Sequence, residues 1–63
     1  PTVQGPLLNR QRAAAHEGLA KAYANIGDMD KAIRHAEAAK ALASEDDRGR
    51  LDELLENLRS REQ

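Results

Sequence analysis

A single Gly-Asp pair, Gly27–Asp28, interrupts a long stretch of helix-forming residues and limits the folds open to this chain. Glycine often ends a helix because it takes the left-handed conformation without steric cost. Aspartate is a preferred first cap of the helix that follows. Two helices joined by so short a turn pack against each other in antiparallel orientation. The sequence therefore predicts a helical hairpin that turns at these two residues.

Apolar residues on both sides of the turn recur at the spacing of one helix face. On the first helix they are Ala15, Leu19, Ala22 and Ile26, with Tyr23 beside them. On the second helix they are Met29, Ala32, Ile33, Ala36, Ala39 and Ala43. Because small residues let helix axes approach closely, the facing surfaces are expected to be Ala22, Tyr23 and Ile26 against Ala32, Ala36 and Ala39.

The whole chain is expected to be all-α, with an antiparallel hairpin and a third, capping helix. Residues 1–11 are a lead-in, either a short apolar arm or the first turn of helix one, with Pro6 as a suitable first helical residue. Residues 12–46 form the hairpin. Residues 47–63 form the capping helix, whose end is expected to fray from Ser60.

The composition leaves little large apolar material for a core in a chain of 63 residues. A domain of this size buries only about 60% of the surface of its unfolded chain. The chain has no Cys, Phe or Trp and two His, so neither a disulfide nor a four-ligand zinc site supports the fold. No cofactor is expected. A core this thin favours a partner, either another protein or a second copy.

Charge and hydropathy narrow the range of partners. The net charge is −1 with a single aromatic residue, which argues against the basic face and the stacking surface that nucleic-acid binding requires. No apolar run approaches the roughly 20 residues needed to cross a bilayer, so no membrane association is expected. The absence of cysteine favours a reducing, cytoplasmic location.

Seven positions within residues 13–46 stand at the spacing of a known repeat motif. They are Leu19, Ala20 and Tyr23 on the first helix, Gly27 and Asp28 at the turn, and Ala32 and Ala39 on the second helix. In these positions the chain resembles a single tetratricopeptide repeat. His16, Ala36 and Ser44 depart from the motif, where the family has a bulky residue, an aromatic residue and a proline.

The resemblance implies a helical hairpin whose first helix lines a concave groove for an extended peptide or a partner helix. Transferred by position, the groove residues are Ala14, Glu17, Lys21, Ala24 and Asn25. Some family members clamp a peptide carboxylate with a Lys and an Asn. Glu17 and Lys21 stand at those positions here, so the clamp does not carry over. The alternative is that these five are ordinary solvated residues.

Four leucines stand at helical spacing in the third helix: Leu51, Leu54, Leu55 and Leu58. Shifting the first helix by 38 residues places Glu56 opposite Gly18 and Leu58 opposite Ala20, so the small residues of the repeat are lost and the segment is interpreted as a cap. The leucines either close the three-helix core or pair with another copy as a homodimer.

No catalytic group emerges from the sequence. His16 and His35 are expected not to meet, because an antiparallel hairpin places His16 across from about residue 39. The acidic run 45–47 lacks the ligand spacing of a calcium loop. The expected function is a non-catalytic protein–protein interaction module, at one end of a longer repeat protein. The alternative is a small helical domain whose role is self-association.

Overall fold

Three α-helices account for almost all of residues 6–62, the part of the chain that the computed structural model describes. They are α1 (Pro6–Asn25), α2 (Met29–Leu42) and α3 (Glu45–Glu62), and these residues contain no strand. The helix α2 packs against α1 on one side and against α3 on the other. The predicted all-α fold, with an antiparallel hairpin and a third helix, is confirmed.

The helix boundaries differ from the predicted ones at three places. Helix α1 begins at Pro6, so residues 7–11 belong to a helix and not to an apolar arm; the rest of the predicted lead-in, residues 1–5, lies outside the described residues. Helix α3 begins at Glu45, two residues before the predicted start of the capping helix, and stays helical through Glu62, past Ser60, where its end is expected to fray. Arg59 and Arg61 in its last turn favour this end because cations stabilise a helix C-terminus.

The chain reverses at Gly27, as predicted. Gly27 has a φ of 88°, which L-residues with a side chain rarely adopt. Its amide donates to the carbonyl of Ala24 at 3.1 Å, and the amide of Asp28 donates to the carbonyl of Tyr23 at 2.9 Å. This pair of bonds is the Schellman motif, which satisfies carbonyl groups at the end of α1.

Asp28 caps the second helix, also as predicted. The backbone amide of Lys31 donates to Oδ1 of Asp28 at 3.2 Å, and the carbonyl of Asp28 accepts from Ala32 at 3.0 Å. Asp30 adds a negative charge in the first turn, where the helix dipole favours it. The end of α1 and the start of α2 are therefore fixed within two residues.

The core lies along the inner face of α2. Its buried residues form two clusters that Leu54 joins: Ala20, Ala32, Ala36, Leu55 and Leu58 in one, and Ala39, Ala43 and Leu51 in the other. Tyr23, Ala24, Met29 and Ile33 are half-buried against the first cluster. Ala32, Ala36 and Ala39 are fully buried, in agreement with the surface predicted for α2.

The predicted core face of α1 is wrong except at Tyr23, which packs against the core as predicted. Ala15 and Ala22 are exposed, and Leu19 and Ile26 keep 43% and 76% of their surface in solvent. The face that packs inward instead carries Ala13, Ala20, Tyr23 and Ala24, of which Ala20 is completely buried. Helix α1 has apolar residues on two faces, and the face with the smaller residues is the one that approaches α2.

Candidate functional site: the groove between α1 and α3

A groove separates α1 from α3. Both helices pack on α2, which reverses direction relative to each of them, so α1 and α3 run parallel with little direct backbone contact. The groove has a volume of about 530 Å³. Its lining is shared between the two helices: Glu17, Lys21, Ala24 and Asn25 from α1, and Arg50, Glu53, Leu54, Asn57, Leu58 and Arg61 from α3.

Four of the five residues that the sequence assigned to a groove line this one. Glu17, Lys21, Ala24 and Asn25 follow each other along its α1 side. Ala14 lies one turn earlier and lines a smaller neighbouring cavity of about 220 Å³, which Glu17 and Arg50 also border. The structure therefore brings all five positions to the side of α1 that faces α3.

Arg50 bridges the groove where the two cavities meet. Its Nε donates to Oε2 of Glu17 at 3.2 Å, and one terminal nitrogen donates to Oε1 at 2.9 Å. The other terminal nitrogen donates to Asp47 at 3.2 Å. A two-point bond of this kind fixes the relative planes of the two groups, and it links α1 to α3 across the groove.

Glu17 is the acidic residue whose environment is most altered by this arrangement. Its side chain keeps 14% of its surface in solvent, and Lys21 lies 3.4 Å from it in addition to Arg50. Burial acts to raise the pKa of Glu17, but the hydrogen bonds and charges of Arg50 and Lys21 outweigh burial and lower the pKa below its usual value. Glu17 is thus held ionised at neutral pH.

The remainder of the groove combines an apolar base with polar rims. Ala24 and Leu54 supply apolar surface above the buried Leu58, and Asn25 and Asn57 supply an amide from each side. Each amide offers donors and an acceptor. The groove therefore offers neutral hydrogen-bonding groups beside a small apolar surface.

The α3 side of the groove was not predicted from the sequence. Arg50, Asn57 and Arg61 were missed because the resemblance concerns the surface of the first helix alone. The signal that could have found them is the parallel path of the first and third helices. Glu17 pairs with Arg50 across 33 residues, which is close to the length of the repeat that the hairpin resembles.

The four leucines of α3 lie mainly on the side of that helix that faces α2. Leu51, Leu55 and Leu58 are buried and Leu54 is half-buried against both core clusters. Two ion pairs flank them, Lys40 with Asp52 and Glu37 with Arg59, the second at 2.8 Å. These leucines form part of the core within one chain, so pairing with another copy through them would require α3 to leave α2.

His16 and His35 meet, contrary to the sequence-based expectation. Their Nδ1 atoms are 3.0 Å apart and their ring centroids 5.3 Å apart. The centroid separation exceeds the nitrogen separation by about two ring radii, so the rings approach edge to edge and one nitrogen donates to the other. The ring of Tyr23 stacks on His35 from the other side, at 5.4 Å and 7°.

The expectation is wrong because side chains reach beyond their own level in a hairpin. His35 is expected across from about residue 20, which is a small, fully buried alanine, and rings from the neighbouring turns of α1 reach His35. His16 and Tyr23 stand four residues before and three residues after Ala20, about one helical turn in each direction. The sequence pattern that indicates the His16–His35 contact is a small residue with a ring-bearing residue about one turn before it and another about one turn after it.

Neither a metal site nor a membrane-spanning helix is found in the part of the chain that the structure describes. Among residues 6–62, no three His, Cys, Asp or Glu side chains are grouped so that they could hold a metal ion. Within the same range, no helix has the length and apolar character to cross a membrane.

The comparisons with known proteins supply no relative. No family model, no curated protein and no solved structure matches this chain.

Proposed function

We propose that this chain is a non-catalytic protein–protein interaction module of the tetratricopeptide type, which binds a protein or peptide partner in the groove between α1 and α3. One observation carries the proposal. Four of the five positions transferred from the resemblance, which concerns the first helix alone, line a groove that α3 completes, and the fifth lines the neighbouring cavity.

The dimensions of the groove suit a short extended segment. Glu17 and Asn25 mark its α1 side and are eight residues apart, or about 12 Å along the helix axis. An extended peptide advances about 3.3 Å per residue, so three to four residues of a partner fit between them. So small a contact gives weak binding by itself, which agrees with a role at one end of a longer repeat protein.

The charges of the groove favour a peptide with an acidic group near one end. Arg50 and Lys21 are already engaged by Glu17, whereas Arg61, which lines the groove together with Glu53, has no ion-pair partner among residues 6–62. A partner that places a carboxylate against Arg61 gains a charge-assisted hydrogen bond. The apolar base then contacts the side chains that follow.

Selection from a random peptide library tests the proposal. Peptides that bind the immobilised chain are expected to share an acidic position followed by apolar residues, and their affinity is measured by fluorescence anisotropy. Asn57→Glu, at an exposed groove position, is expected to abolish binding, because the added carboxylate repels the acidic group of the peptide and can pair with Arg61 four residues on, while the circular dichroism spectrum stays helical.

Ser60→Glu is the matched control, because it adds the same side chain three residues further along α3 at an exposed position that does not line the groove. It is expected to bind the selected peptides normally. A library that yields no binder contradicts the proposal, as do peptides that bind the Asn57→Glu variant as tightly as the parent chain.

Self-association through the leucines of α3 is less favoured as a function. Leu51 and Leu58 each expose 1% of their surface, so their release would cost the core its largest buried side chains. An alternative surface for contact between copies exists on the opposite side of the molecule, on α1.

A further inference from the structure

The outward face of α1 carries an apolar stripe that no other part of residues 6–62 covers. Ala15, Leu19, Ala22 and Ile26 recur along it at steps of four, three and four residues. Ile26 exposes 76% of its surface and Leu19 43%. Helices that are apolar on opposite faces are normally packed on both, whereas α1 packs on one. The stripe also lies opposite the groove, so it is independent of the proposed peptide site.

The order of large and small residues makes this stripe complementary to itself. The steps of four, three and four are symmetric about the midpoint between Leu19 and Ala22. A second α1 related by a two-fold axis through that midpoint, in antiparallel orientation, places Leu19 against Ala22 of the other copy. The same operation places Ile26 against Ala15. Each large residue meets a small one, as close helix packing requires.

The charges at the two ends of the stripe are complementary under the same operation. Arg12 stands at the next position of the stripe, three residues before Ala15, and has no ion-pair partner among the described residues. At the other end, Ile26 borders a depression that Asp28, Asp30, Arg61 and Glu62 also line. Within their own chain the two aspartates make only loose pairs, Asp28 with Lys31 at 3.9 Å and Asp30 with Arg34 at 3.7 Å. The two-fold operation brings Arg12 of one copy to the aspartates of the other.

A parallel pairing lacks these advantages. It would place Arg12 beside Arg12, where like charges repel, and Ala15 beside Ala15 and Ala22 beside Ala22, where small residues leave gaps. From the symmetry of the stripe and the charges at its ends, we infer that a second copy of this chain covers the outward face of α1, in antiparallel orientation about a two-fold axis. The contact is small, so the dimer is weak and depends on concentration.

Sedimentation equilibrium of the whole chain over a concentration series, up to the millimolar range, measures the dimer directly. Ile26→Glu places a carboxylate in the contact and is expected to raise the dissociation constant roughly tenfold or more. Ala41→Glu, on an exposed position of α2 away from the stripe, is the matched control and is expected to leave the dissociation constant unchanged.

The charge contact is tested by reversal. Arg12→Asp is expected to weaken the dimer. Combining it with Asp30→Arg is expected to restore the parent dissociation constant, because the opposite charges then face each other again. Asp30 is chosen over Asp28 because Asp28 caps α2.

Orientation is tested by cross-linking, for which the absence of cysteine from the chain is an advantage. A mixture of a Leu19→Cys chain and an Ala22→Cys chain is oxidised mildly and examined by mass spectrometry. An antiparallel pair yields mainly the mixed disulfide, and a parallel pair yields the two unmixed ones.

Three results would each overturn the inference: a monomer mass at every concentration, a dimer that Ile26→Glu leaves intact, or a predominance of unmixed disulfides. A monomer at every concentration would favour a helix of another protein, and not a second copy, as the group that covers the outward face of α1. Circular dichroism of each variant, with the parent helicity retained, ensures that a lost dimer reflects the contact and not unfolding.

Discussion

The helix α2 packs against two unlike surfaces. Toward α3 it meets three buried leucines, Leu51, Leu55 and Leu58, each worth about 1.5–3 kcal/mol on burial. Toward α1 it meets the small side chain of Ala20, and its His35 contacts the rings of His16 and Tyr23. The α3 side therefore supplies most of the hydrophobic free energy, whereas the α1 side depends on close approach. In this small chain, buried apolar area stabilises the packing of α3 on α2, and close approach of the backbones stabilises the packing of α1 on α2.

The largest expected effect is on the leucine side. Leu58→Ala removes a side chain that is 1% exposed and is expected to lower the free energy of unfolding by about 2–5 kcal/mol, as measured by urea denaturation. Leu19→Ala is the control, since Leu19 is 43% exposed, and it is expected to cost much less. Equal losses for the two leucines would show that the α3 side does not dominate.

Enlarging the alanine side is expected to have the next largest effect. Ala20 is completely buried, and Ala20→Leu would force α1 away from α2 at a cost of about 1–3 kcal/mol. Ala22→Leu adds the same volume at an exposed position two residues away and is expected to change the unfolding free energy by at most about 0.5 kcal/mol. A stable Ala20→Leu variant would mean that the two helices do not depend on close approach.

The histidine contact is expected to contribute less. A double-mutant cycle with His16→Ala and His35→Ala should give a coupling of about 0.5–1.5 kcal/mol, the usual net value of one hydrogen bond. A second cycle, between His35 and the groove residue Glu53 on α3, provides the control and is expected to be additive. If the histidine cycle were additive as well, the edge-to-edge bond would contribute nothing to the stability of the hairpin.

The smallest expected effect is on the pH dependence of stability, through the bond between Glu17 and Arg50 across the groove. Because the pKa of Glu17 is lowered in the folded chain, the unfolded chain binds a proton first as the pH falls. The stabilisation is complete above about pH 4.5, the usual carboxyl value, and is lost below it. Glu17→Gln is therefore expected to be less stable than the parent chain at neutral pH and to approach it in acid.

Arg50→Gln supplies the control background for this titration, since it removes the main partner of Glu17. In that background Glu17→Gln is expected to lower the thermal midpoint by less at neutral pH, and the midpoint is measured across the acid range for both backgrounds. An equal loss in the two backgrounds would assign the acid sensitivity to Lys21 alone.

Local signals in the sequence predicted the architecture well. Gly27 and Asp28 act through their own backbone and side-chain bonds, so the turn and the start of α2 could be assigned without knowing what packs where. Of the two roles that the sequence left open for the leucines of α3, a place in the core is the one observed, and the local pattern allowed for it because no other face of that helix is apolar. Such features depend on a few neighbouring residues and are accessible from a single sequence.

The face of α1 could not be predicted in this way. Leu19 and Ile26 dominate the apolar periodicity of this helix, and they indicated the wrong face. Packing against α2 and α3 decides which face of α1 is buried, because the small side chain of Ala20 allows both helices to approach α1. The α1 side of the groove was assigned through the resemblance, yet six of the ten lining residues come from α3, and only the tertiary arrangement brings those residues opposite Glu17 and Lys21.

The stacking of Tyr23 on His35 has a practical consequence. Tyr23 is the only tyrosine, and the chain has neither Trp nor Phe, so near-ultraviolet absorption and intrinsic emission arise from one ring. That ring touches both arms of the hairpin. Its optical signal therefore follows the docking of α1 on α2 without any label, and separation of the two arms can be timed independently of the loss of helicity.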